Sequence, residues 1–236
     1  MGKVITLLKR ELSSTFFSPI AYVVATFFLV ISGYFFSITL AHLKEASLRF
    51  TLGDMGIILL FISPLITMRL LSEEMRSGTI ETLMTDPVTD FQVVISKFLA
   101  ALSFYAILLI PTLSYVLILR IIGNPDWGPI VSGYLGLIFM GMVFLSIGLF
   151  ASSLTKNQIV AAVISLVTLL LLWVIGWASG QTGSRLGKVF NYLSFFEHFE
   201  SFEKGVIDTR DIFYYLSTAL LFLFMTVRTV ESRKWR

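Results

Sequence analysis

Six long apolar runs, whose cores hold no Asp, Glu, Lys, Arg or His, constrain this chain more than any other feature of its sequence. They lie at approximately 19 to 41, 54 to 72, 98 to 120, 131 to 152, 158 to 178 and 212 to 229. A helix needs about 20 mainly apolar residues to cross roughly 30 Å of hydrocarbon. Each run meets that length, and none shows the alternation of a barrel strand. Backbone groups in lipid must be satisfied internally, so the spans read as helices and the fold class as all-α. With 56 % hydrophobic and 14 % charged residues and 22 phenylalanines among 236 residues, the composition is that of a polytopic membrane protein.

The first run follows 18 residues and has no small-residue cleavage pattern, so it reads as a retained span and not a removable signal peptide. Lys and Arg favour the cytoplasmic flanks of spans. Placing both termini in the cytoplasm puts eleven of these residues on that side and seven on the other, four of the seven in one long loop. Both termini are therefore expected to be cytoplasmic. The net charge of +3 forms no basic stripe that suggests nucleic acid. There is no cysteine, which removes disulfides, thiolate metal sites and cysteine nucleophiles.

Ahead of span one, Val4, Leu7, Leu8, Glu11 and Leu12 recur at helical spacings, with Lys3, Lys9 and Arg10 able to reach water. An amphipathic helix on the inner membrane surface is the expectation, a fraying extension the alternative. Pro19 suits the first turn of span one. Span two is expected to kink at Ser63-Pro64, and span three at Pro111. Gly133, Gly136, Gly141 and Gly148 in span four, and Gly176 and Gly180 at the end of span five, predict close helix approach; they are weak evidence for any dimer face. Beyond span five, Phe195, Phe199 and Phe202 recur with Phe196 and Val206 at three- and four-residue steps among Glu197, Glu200, Glu203 and Lys204. That pattern predicts an amphipathic helix resting in the outer interface or dipping into it, ended by Gly205.

Several chemistries find no support. Proton-coupled carriers usually need an ionisable relay within the membrane, and the apolar cores carry none. Unwound helices at Pro64 and Pro111 keep a sodium-coupled carrier open, but no inverted repeat of hydropathy accompanies them. Gly183 to Val189 has the wrong spacing for a phosphate-binding loop and lacks its hydroxyl. His198 beside Glu197 and Glu200 invites a metal reading, yet adjacent helical residues diverge and no second histidine is near. A structural or solvated role is favoured for it and for His42. No cofactor is expected on this chain, and the energy source is assigned to a partner.

The one long charged segment between strongly apolar runs is Arg69 to Lys97, with Glu73, Glu74, Glu81, Asp86 and Asp90 against Arg69, Arg76 and Lys97. Span two should continue as helix through Met75 and stop at Gly78. Thr79 can cap a short helix from Ile80 to Thr85, Asp86-Pro87 ends it, and Thr89-Asp90-Phe91-Gln92 offers a capping box for the helix entering span three. Ile80, Leu83 and Met84 then form an apolar knob, suited to a groove on a soluble partner. The bland alternative is a solvated hairpin.

This segment resembles the signature of ABC-2 type permeases, the membrane subunits of one class of ATP-binding cassette transporters. The matching residues are Arg69, Glu73, Glu74, Gly78, Thr79, Ile80, Glu81, Leu83, Pro87, Val88 and Lys97. The run His198 to Ser217 and the N-terminal KRELSSTFFSPIAY resemble the gliding-motility-associated ABC permeases. The resemblance implies a type V exporter-like permease with an N-terminal amphipathic surface helix, in the bacterial plasma membrane. One transmembrane domain fills 1–236: surface helix 1–18, spans one and two 19–72, cytoplasmic coupling segment 73–97, spans three to five 98–178, outer loop 179–211, and span six with its tail 212–236.

It further implies two permease copies, with a homodimer expected, and two copies of a separate ATPase subunit that carries ATP and magnesium. Catalysis would reside in that partner. Glu74, Gly78, Thr79, Ile80, Glu81, Thr82, Leu83, Met84 and Pro87 would form the ATPase-coupling interface, and the rigid continuation of spans two and three would relay its rotation. The gliding-associated permeases are also accompanied by a larger membrane-anchored partner with an extracytoplasmic domain. Expected function is ATP-driven movement of an unidentified substrate. Alternatives are an ATP-driven machine that acts on an envelope partner without transport, and a self-sufficient carrier.

Overall fold

Chain order alternates long apolar helices with short polar connections, and the structure, a computed structural model, describes residues 2–43, 47–78, 89–179 and 192–232. The described helices are α1 (Gly2–Phe16), α2 (Pro19–Leu43), α3 (Arg49–Thr67), α4 (Ser72–Ser77), α5 (Asp90–Leu109), α6 (Leu113–Ile122), α7 (Trp127–Leu154), α8 (Gln158–Ser179), α9 (Phe195–Glu203) and α10 (Thr209–Ser232). No strand occurs among the described residues. Six candidate spans result, formed by α2, by α3 with α4, by α5 with α6, and by α7, α8 and α10. The chain is an all-helical, multi-pass membrane protein.

Helix α7 is the axis of the bundle: 72 % of its apolar window is buried, against 22 % for α2 and α8. It packs on α3, α5, α8, α9 and α10. Between helices in lipid there is little hydrophobic driving force, so attraction must come from close packing and interhelical hydrogen bonds. The glycines of α7 supply the closeness within this one chain. A methyl group on Gly141 would collide with the ring of Tyr105 on α5, and one on Gly148 with Thr67 on α3. Tyr105 is wholly buried and donates its hydroxyl to the Leu137 carbonyl across the same contact, at 2.9 Å.

Span two is not broken at Ser63-Pro64. Helix α3 runs through Ser63 and Pro64 to Thr67, and the chain leaves helix only at Met68–Leu71. A proline ring frees the carbonyl four residues earlier. Here that is Leu60, whose oxygen accepts from the Ser63 hydroxyl at 3.2 Å, so the helix continues. The actual break is stitched from α7. Ser152 Oγ accepts from the amides of Leu71 (3.1 Å) and Ser72 (3.0 Å) and donates to the Met68 carbonyl (3.1 Å). Three backbone groups that a continuous helix would pair internally are satisfied by one hydroxyl. Span three is interrupted where the proline predicts, at Ile110–Thr112. Spans two and three are thus each jointed, which corrects the expectation of rigid continuation.

Replacing Ser152 by alanine strands the amides of Leu71 and Ser72, each costing about 1–3 kcal/mol if water cannot reach it, while the Met68 carbonyl keeps the Ser72 hydroxyl. Ser152→Ala should lower the thermal unfolding temperature in detergent clearly more than Ser146→Ala, whose hydroxyl bonds only the local Val143 carbonyl, at 2.8 Å. Equal shifts would show that the joint is held by something other than Ser152.

Candidate functional site

An amphipathic α1, a jointed span two and a capped start to span three meet at one end of the bundle, and a lysine lies where they meet. Thr89 caps α5: its hydroxyl accepts from the Gln92 amide at 3.3 Å while Gln92 Oε1 accepts from the Thr89 amide at 3.2 Å, completing the capping box. Two turns along α5, the Lys97 side chain is only 2 % exposed. Its Nζ donates to Glu74 Oε1 of α4 at 2.7 Å and lies 3.1 Å from Glu11 Oε1 of α1. Arg10 reaches the same oxygens, 3.3 Å from Glu11 and 3.7 Å from Glu74. Two cations and two carboxylates neutralise each other locally. Removing Lys97 from this set costs about 3–5 kcal/mol, because two largely buried carboxylates lose their buried partner; Arg10, 55 % exposed, contributes far less.

A second pair braces the joint from outside. Arg69, within the Met68–Leu71 break, forks onto Glu73 with Nε at 2.9 Å and Nη2 at 3.4 Å, and its Nη1 donates to Ser18 Oγ at 2.7 Å in the link between α1 and α2. Gly78 ends α4 with φ 73°, a left-handed conformation that glycine adopts without penalty. The two flanks of the 79–88 segment are therefore held to each other by Lys97 and Glu74, and to α1 by Glu11. Of the residues expected at the ATPase-coupling interface, Glu74 and Gly78 are among those described. Thr79, Ile80, Glu81, Thr82, Leu83, Met84 and Pro87, with the short helix expected there, lie outside the described residues.

Glu11 is placed in the helical pattern of α1 by the sequence, without an ionic partner. The signal for one was present: Glu11 shares a face with Leu7, Leu8 and Leu12, and a carboxylate among leucines needs a cation to meet it.

The opposite end of the bundle carries α9. Phe195, Phe199 and Phe202 are fully or almost fully buried. They face protein and not the outer interface: Phe195 meets Phe144 of α7 edge-on at 5.0 Å, and Phe202 sits over Gly136 of α7. A hydrophobic stripe reports burial without saying whether lipid or protein covers it. Ser194 caps α9, and Ser132 of α7 donates to the Phe202 carbonyl at 2.6 Å. His198, buried, has Nδ1 2.6 Å from Asp211 Oδ1 and Nε2 3.1 Å from the Tyr192 carbonyl, and its ring stacks on Tyr214 at 4.0 Å. The histidine locks α9 to the start of α10.

Beside this lock, burial pushes the Glu203 carboxyl from the usual 4.5 up to about 7; Glu200 and Asp54 reinforce the rise, while Arg49 and Lys204 oppose it.

A family model described as ABC-2 family transporter protein matches residues 7–231, and the chain belongs to that family. A search of curated proteins finds no match. The chain is a permease component of an ATP-binding cassette transporter; members of the family are typically non-catalytic membrane subunits, and the family implies an ATP-binding partner subunit.

The raised Glu203 pKa fixes the sign of a pH effect. Between pH 4.5 and about 7 the unfolded chain has lost this proton and the folded chain keeps it. Glu203 thus favours the folded state most fully below that window, its contribution falls as pH rises through it, and it is flat above. Thermal unfolding in detergent should show this slope in the wild type and lose it in Glu203→Gln. An unchanged slope would place the titration elsewhere.

Proposed function

We propose that this chain is the membrane half of an ATP-driven exporter, in which the 73–97 segment receives work from a separate ATPase subunit. The observation that carries this reading is the Lys97 junction. A hairpin that only kept charges out of lipid would need no fastening, whereas a lever must be gripped at its base. Lys97 and Glu74 hold both flanks of the segment together, and Glu11 ties them to α1. Force applied to residues 79–88 then reaches α5 directly and α3 through the joint at Met68–Leu71. In this reading α1 lies on the inner surface of the bacterial plasma membrane, both termini are cytoplasmic, and α9 is extracytoplasmic.

Two permease copies with two ATPase copies complete the transporter, and the permease pair is proposed to be a homodimer. ATP and magnesium act on the partner. ATPase closure would move the segment, and the jointed spans two and three would convert that movement into a change of packing on α7. Two discrete arrangements are required, one of them favoured by nucleotide. Membership of the gliding-motility-associated branch is part of the proposal. It is supported by the run His198 to Ser217, in which His198, Asp211, Tyr214 and Tyr215 interlock α9 with α10.

Replacing Glu81 and Leu83 together by alanine should abolish permease-dependent stimulation of the ATPase, or its retention on the permease, while leaving the thermal unfolding of the purified chain unchanged. Full assembly and turnover in that double variant would sink the coupling role.

A further inference from the structure

A cavity of ≈ 310 Å³ opens beside the junction, between α1, α2, α3, α4 and α5. Its lining divides by chemistry. One wall is apolar, with Ile20 and Val24 of α2, Leu65 and Ile66 of α3, and Phe104 of α5. Ile20 and Leu65 are each 40 % exposed, so this wall continues onto the lipid-facing surface of spans one and two. The other wall carries charges of both signs, Arg10, Arg69 and Lys97 with Glu11, Glu73 and Glu74. A ligand that matches both walls has an apolar tail and a head bearing both charges.

The hydrogen-bond inventory narrows the head further. A guanidinium has five N–H donors. Arg69 makes three hydrogen bonds, to Glu73 twice and to Ser18, and Arg10 makes one, to Glu11. Donors remain on both arginines for a phosphate, which arginine recognises through paired N–H groups. On the carboxylate side, Glu74 Oε1 meets Lys97, but the buried Oε2 has no hydrogen-bond partner among the described residues. A buried carboxylate oxygen without a donor is costly. An anionic head alone would meet Glu73 and Glu74 unfavourably, and a quaternary ammonium has no N–H to give.

We propose that this cavity binds one phospholipid with a primary-ammonium headgroup, of the phosphoethanolamine class, from the leaflet on the α1 side. Its phosphate takes the free N–H groups of Arg10 and Arg69, its ammonium donates to the carboxylates of Glu73 and Glu74, and one acyl chain lies along Ile20, Val24 and Leu65. The lipid then joins α1 to spans one and two, beside the ionic junction. The proposal rests on the chain spanning a membrane and not on its coupling to an ATPase.

The test uses the purified full-length chain in detergent, without any partner, and native mass spectrometry with dioleoyl lipids added one at a time. Dioleoyl phosphatidylethanolamine should be retained as a single adduct and raise the unfolding temperature. Phosphatidylcholine with the same chains should bind at least about tenfold more weakly, as expected for the loss of one charge-assisted hydrogen bond. Ser14→Trp, which fills the cavity without removing a charge, should abolish the adduct while the lipid-free unfolding temperature is kept; Arg69→Gln should weaken it. Equal retention of the two lipids, a preference for phosphatidylglycerol, no retained lipid, or an adduct indifferent to Ser14→Trp would each overturn the proposal.

Discussion

A single ammonium group organises the end of this protein that bears α1. Lys97 is held between Glu74 and Glu11 at 2.7 and 3.1 Å with its side chain almost wholly out of solvent. A lysine there is tolerable only because three separate elements converge on it. Helix α1, whose apolar face already packs on α5, is fastened there by the Glu11 carboxylate. Helix α4, a six-residue helix too short to be stable alone, is fixed by Glu74. The start of span three carries the lysine itself. The same convergence shapes the adjoining cavity, whose charged wall consists of the junction and the Arg69 brace beside it.

From this base the structure is rigid in its middle and jointed at its edge. Helix α7 packs against its neighbours at glycine contacts that admit no methyl group at Gly141 or Gly148. Spans two and three, by contrast, leave helix at Met68–Leu71 and Ile110–Thr112. The joint in span two is stitched to α7 by one serine hydroxyl and braced on its other side by Arg69, so span two can change its angle on α7 at the cost of rearranging three hydrogen bonds to that hydroxyl. A bundle with a fixed axis and a fastened, jointed lever is suited to passing on a displacement, and hydrogen bonds exchange more readily than a packed core deforms. At the far end, His198 and Asp211 keep α9 locked to α10.

What could be read from the sequence were the features decided locally. Spans are legible because hydrocarbon imposes length and composition on each one separately. The Thr89–Gln92 capping box and the break at Pro111 follow from residues within a turn of one another. Features made by distant residues were not legible. The joint of span two depends on Ser152, some eighty positions away, and Ser63 had already repaired the proline that drew attention. The Phe195, Phe199 and Phe202 stripe gave the buried face of α9 but could not distinguish a lipid cover from a protein one. Lys97 and Glu74 were both singled out, yet their pairing with Glu11 emerged only in three dimensions.

The most direct measurement of the central claim is nucleotide-sensitive cross-linking at Thr82, in a chain whose lack of cysteine makes a single introduced thiol unambiguous. Inverted membranes containing the permease and its ATPase partner would be compared for Thr82→Cys alone and for Thr82→Cys with Lys97→Met. An adduct between the two subunits whose yield changes with nucleotide is expected in the first, and an adduct that no longer responds to nucleotide in the second. An equal nucleotide response in both would show that the segment transmits without the Lys97 junction, and reachability of the thiol only from the opposite face would contradict the assigned topology.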